Sequence, residues 1–82
     1  MAQVYLHTAL LEQMPRHGGH RRRILDFIHR LANDPDLPGD FTDRDDSQRT
    51  RQIKIIGDHA ITYWYDAPVK IVMVVDIRHA DR

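Results

Sequence analysis

Cysteine is absent from this chain of 82 residues, which excludes disulfides, zinc–thiolate centres and cysteine nucleophiles and agrees with a reducing compartment. Long apolar runs are absent as well. No stretch approaches the roughly 20 residues that span a bilayer, so no transmembrane helix is expected. The opening MAQVYLHTALLEQMP has no basic head and interrupts its apolar residues every few positions, unlike a secretory signal. A cytoplasmic protein without a membrane contact is the expectation. Hydrophobic residues at 41% beside charged residues at 29% set the chain apart from disordered and membrane classes. So short a chain makes one domain, residues 1–82, with one small core, and leaves little room for a large internal active-site cavity.

Net charge is lacking too, yet the zero is a balance of opposed blocks. Residues 1–15 carry only Glu12, or −1; residues 16–30 set five arginines against Asp26, or +4. Residues 31–46 set six aspartates against Arg44, or −5, and residues 47–82 return +2. Opposed local fields of this kind favour oriented docking on charged partners, because steering follows the local field. The same blocks also suit solvated loops and helix faces that happen to differ in sign.

What is present is periodic. Val4 and Leu6 alternate with Gln3, Tyr5 and His7, the period of a half-buried strand over residues 3–8. Thr8–Met14 reads as a short helix capped by Thr8 and stopped by Pro15, and Gly18-Gly19 breaks the chain. From Arg21 to Asn33, the residues Ile24, Leu25, Ile28, Leu31 and Ala32 recur at helical spacing, ahead of the stop at Pro35. Arg21, Arg22 and Arg23 oppose the dipole at that helix's start, which suggests that they face a partner, although exposed arginines at helix starts are also common. Residues 34–49, acidic and broken by Pro35, Pro38 and Gly39, read as a loop. Thr50–Ile56, His59–Asp66 and Val69–Asp76 then read as a three-stranded antiparallel meander, joined at Gly57-Asp58 and Ala67-Pro68. The last strand is apolar on both faces and should be central. The fold class that follows is α+β: a small, mostly antiparallel sheet covered on one face by one or two helices.

Several residues invite chemistry. His59 sits beside a turn and could act as a base, or be a solvated residue at a hairpin start. His79 has the stronger claim, since Arg78 and Arg82 would hold it neutral at pH 7. His17 and His20 have ligand-like spacing, but the glycines between them speak against a rigid site; no metal and no cofactor is expected. Tyr63, Trp64 and Tyr65 could stack on bases, although alternation sends at least one of Trp64 and Tyr65 into the core. Arg16, Arg21, Arg22 and Arg23 could contact phosphate, or pair with Asp40, Asp43, Asp45 and Asp46.

Three phrases stand out against this element order. Leu31-Ala32-Asn33-Asp34-Pro35 is followed by Pro38-Gly39-Asp40; Gly57-Asp58-His59-Ala60-Ile61-Thr62-Tyr63 forms the first hairpin; and Ile77-Arg78-His79-Ala80-Asp81-Arg82 closes the chain. Together with the order strand, short helix, longer helix, acidic loop and meander, they resemble the RelE/ParE toxin superfamily over most of the chain. The resemblance implies a toxin of a type II toxin–antitoxin pair, with a cognate antitoxin as partner and either the ribosome and its messenger or DNA gyrase as target; it leaves a homo-oligomer open. RelE-like members cut messenger RNA on the ribosome, without a metal, and ParE-like members poison gyrase.

RNA cleavage needs a base for the 2′-hydroxyl, cations for the phosphorane and an acid for the leaving oxygen. Ala60 and Ala80 stand where nucleases of the superfamily carry arginine, His59 stands for a tyrosine, and no tyrosine follows Arg82. The substitute catalytic set is Lys54, Arg78, His79 and Arg82, with Arg21, Arg22, Arg23 and Arg51 as the nucleic-acid-binding set. The alternative is a catalytically degenerate, non-enzymatic protein-binding module of the same fold.

Overall fold

The computed structural model describes residues 2–80, so Arg82 lies outside the described residues. The chain runs β1 (Gln3–Leu6), α1 (Thr8–Leu11), α2 (Gly19–Asn33), β2 (Phe41–Arg44), β3 (Thr50–Ile56), β4 (His59–Asp66) and β5 (Ile71–His79). The five strands form one sheet in the order β1-β5-β4-β3-β2; β1 lies parallel to β5 and every other pair is antiparallel. This is an α+β fold. The expected meander is present and its last strand is central, between β1 and β4.

Local chemistry accounts for most element ends. The first helix is shorter than expected and its cap is His7, whose Nδ1 accepts from Ala9 N at 3.0 Å, in place of Thr8. The second begins at Gly19 behind Gly18, which adopts φ +95 and supplies no side-chain cap. Gly57 takes φ +58 in the β3–β4 turn, a left-handed conformation that suits glycine. The residues expected to open the last strand instead form a turn, closed by Lys70 N donating to Ala67 O at 3.2 Å.

The segment 34–49 is not all loop, because Phe41–Arg44 pairs with β3 as an edge strand. Its start is stitched on by Gly39 N donating to Gln52 Oε1 at 3.0 Å, Asp40 N to Ile53 O at 2.8 Å and Ile55 N to Asp40 Oδ2 at 2.8 Å. Asp45 then accepts from Ser47 N and Arg49 N, both at 2.9 Å, and turns the chain into β3.

α2 covers one face of the sheet. Ile24, Phe27 and Leu31 pack on Ile56, Ile61, Tyr63, Val72, Val74 and Ile77, a single core that Met14 and Ala2 complete. Fully burying a branched aliphatic side chain contributes about 1.5–3 kcal/mol, so this layer holds the helix to the sheet. Tyr63 anchors the centre: its ring meets Phe27 edge-on at 5.4 Å and its hydroxyl donates to Leu37 O at 2.8 Å. A bulge at Val75 of β5, opposite the step between Thr62 and Tyr63 of β4, leaves Val75 without a ladder partner. It shifts the alternation, so that Val72, Val74 and Ile77 face the helix whereas Val75, Asp76 and Arg78 face away.

Candidate functional site

Among the described residues, the face of the sheet opposite α2 carries no helix. Across it run Tyr5, Met73, Trp64, Thr62, Ala60, Ile53 and Phe41, paired in register or alternating with buried residues. Tyr5, Phe41 and Val75 are exposed by 52%, 60% and 39%, far more than core residues. A groove of about 400 Å³ in this face is lined by Asp43, Arg51, Ile53, Ala60, Thr62, Val75, Asp76 and Arg78.

The groove's charges are already matched. Arg51 makes a bidentate pair with the directly opposed Asp43, Nε to Oδ1 at 2.8 Å and Nη2 to Oδ2 at 2.7 Å. The Asp43 hydrogen bonds push the Arg51 guanidinium further toward its charged form. Arg78 donates through Nε to Asp76 two residues away. Along the same edge, Arg49 lies 3.8 Å over the Trp64 ring and pairs with Asp45 at 3.2 Å. The Arg49 backbone hydrogen bond holds the Asp45 carboxyl below its usual range. Of the aromatic trio, Tyr63 is core, Tyr65 packs against the core and Trp64 lies on the open face beneath Arg49.

Lys54 stands on the helix side, opposite Ile61 in register, and pairs with Asp40 at 3.6 Å. It lines a shallow pocket of about 230 Å³ with Arg23, Asp26, Phe27, Arg30 and Ile56. Because Asp40, Asp43 and Asp45 take Lys54, Arg51 and Arg49, none of Arg16, Arg21, Arg22, Arg23 and Arg30 belongs to an ion pair among the described residues. Arg21 donates to Pro15 O at 3.1 Å. The first turn of α2 holds no carboxylate, so its basic character stands uncompensated by the helix itself.

His79 also faces the helix side, directly opposite His59 in the β4–β5 ladder. Burial, and then the neighbouring His79, push the His59 imidazole below its ordinary range. The catalytic set expected from the sequence is therefore divided: Lys54 and His79 stand on one side of the sheet and Arg78 on the other. Of the binding set, Arg51 joins Arg78 in the groove, whereas Arg21, Arg22 and Arg23 stay on α2. Asp43 and Asp76 are site residues that the sequence reading missed. Asp76 was within reach, since it sits two positions before Arg78 and must share its strand face; Asp43 was not, because its strand went unseen.

Among the described residues, no group of three or more histidines and carboxylates is placed to hold a metal ion, and no helix is long and apolar enough to cross a membrane. His17 and His20 form no such group. Compared with known proteins, the chain matches no family model, no curated protein and no solved structure.

Proposed function

We propose that this protein is the toxin-like component of a type II toxin–antitoxin pair, RelE/ParE-like, and that it works in the cytoplasm by binding macromolecules without cutting RNA. The supporting observation is the division of its polar groups. Stabilising a phosphorane requires a base and unneutralised cations on one concave face. Here the histidine base lies across the sheet from Arg78, and both groove arginines are bound to aspartates. The open face suits a partner segment instead: apolar residues at its centre with exposed Val75 among them, exposed Tyr5 and Phe41 on its edge strands, and charge kept in internal pairs. An antitoxin strand or helix laid on this face would cover it.

The test is expression with and without the small protein encoded in the neighbouring reading frame. Co-purification of the two, slowed growth without the partner, and intact messenger in an assay with translating ribosomes are the expected results. Rapid arrest with mapped messenger cleavage would overturn the non-cutting mechanism. Ribosome-linked cleavage has one observation in its favour, that Arg51 and Arg78 line the same groove. It predicts cleavage that Arg51→Ala abolishes.

A further inference from the structure

Two imidazoles meet where β4 begins and β5 ends. His59 and His79 are directly opposed in the antiparallel ladder, so the backbone fixes their separation and sends both side chains to the same face. Their ring centroids lie 4.9 Å apart with the planes tilted by 54°. Two imidazoles that share one ion at about 2.0–2.1 Å per nitrogen, with a tetrahedral angle between them, hold their centroids about 5 Å apart. His59 is 8% exposed, yet its buried Nδ1 has no hydrogen-bond partner among the described residues. A buried polar nitrogen left alone is rare enough in folded proteins to require an explanation, and an absent ligand is one.

We propose that His59 and His79 form a two-histidine clamp for a borderline divalent transition-metal ion, of the class of Zn²⁺, Ni²⁺ or Cu²⁺. Imidazole donors select this class over Mg²⁺ and Ca²⁺, which take oxygen ligands. His79 is exposed at the strand end, so the ion has a path to the pair and the outer ring has room to turn toward it. No third histidine or carboxylate among the described residues closes the shell, so the remaining positions go to water. The bound ion would tie the start of β4 to the end of β5. This site is independent of the proposed toxin-like function and lies on the side of the sheet away from the groove.

The experiment is a calorimetric titration of the untagged chain with Ni²⁺ in a non-coordinating buffer. One ion per chain is expected, with affinity falling by at least about tenfold in His79→Gln. Affinity is expected to stay unchanged when His7, His17 and His29 are all replaced by glutamine. Should His79→Gln not fold, paramagnetic broadening by Ni²⁺ in the unaltered protein decides: the ring resonances of His59 and His79 broaden first. No saturable binding, equal binding in folded His79→Gln, or broadening confined to the other histidines would overturn the clamp.

Discussion

Gly39 and Tyr63 are the residues at which a single atom decides most. A Cβ on Gly39 would stand 2.5 Å from Ile53 O and 2.8 Å from Ile53 N, and backbone atoms of a paired strand cannot step aside. Gly39→Ala should cost about 1–3 kcal/mol, read as a lower urea midpoint with an unchanged slope. At Tyr63, 1% exposed, burial pushes the phenol up to about 12, with the charge of Asp40 adding to it. The folded chain then keeps a proton that the unfolded chain releases near pH 10. Stability from this group is complete below about pH 10 and is lost as pH rises toward about 12, by up to ~3 kcal/mol. Tyr63→Phe should cost about 1 kcal/mol at neutral pH through the lost bond to Leu37 O. Between about pH 9 and about pH 11 it should also flatten the decline in the urea midpoint relative to the parent chain.

Among the elements, β5 owes the facing of its side chains to an irregularity. Strict alternation from Val72 and Val74 would turn Asp76 and Arg78 into the apolar core beneath α2, where burying an unpaired charge is costly. Val75 absorbs the extra step, and Ile77 takes the inward place. Since Val74 and Asp76 oppose the adjacent Tyr63 and Thr62, removing Val75 would restore a regular ladder with Ile77 still inward. Deletion of Val75 should therefore leave a folded chain, with amide protection across β4 and β5 retained, while altering the groove that Val75 lines. A deletion variant that unfolds would show that the bulge is required for the β1–β5 pairing as well. For α2, burial of Ile24 and Leu31 sets position, so Leu31→Ala should cost about 2–5 kcal/mol in the same denaturation measurement.

For the whole molecule, a helix on one face and, among the described residues, none on the other leaves the sheet covered on one side. Phe41→Glu and Val75→Glu place charge on residues already exposed by 60% and 39%, so neither should move the thermal midpoint by more than a few degrees. If the open face receives the partner, the double variant should lose co-purification with the antitoxin. Retained complex in that variant would move the docking surface to the basic side of α2, where Arg22 and Arg23 remain without ion pairs. Replacing those two by glutamate removes a conflict with the helix dipole and should leave stability equal or higher by about 0.3–1 kcal/mol per site.

Much of what depends on neighbours along the chain was legible in the residues, although the cap at His7 and the turn before Ile71 were not. The periods of residues 21–33, 50–56 and 59–66, and the breaks at Pro35 and Gly57, are local properties, and each corresponds to an observed element. The single small core and the central last strand followed from the same patterns. What needed a second segment was out of reach. Phe41–Arg44 is polar on an edge and becomes a strand only because β3 offers hydrogen bonds to it. Asp40, Asp43 and Asp45 found Lys54, Arg51 and Arg49, not the helix arginines, because β2 and its turn run beside β3 and the residue that leads into it. Arg78 and His79 are adjacent in the chain and opposite in space, for a strand turns successive side chains to opposite faces. His59 and His79, twenty positions apart, stand together because the β4–β5 register brings them there. Sequence set the elements through short-range periodicity; pairing across the sheet decided which charges meet, since register and bulge placement are energies of two strands at once.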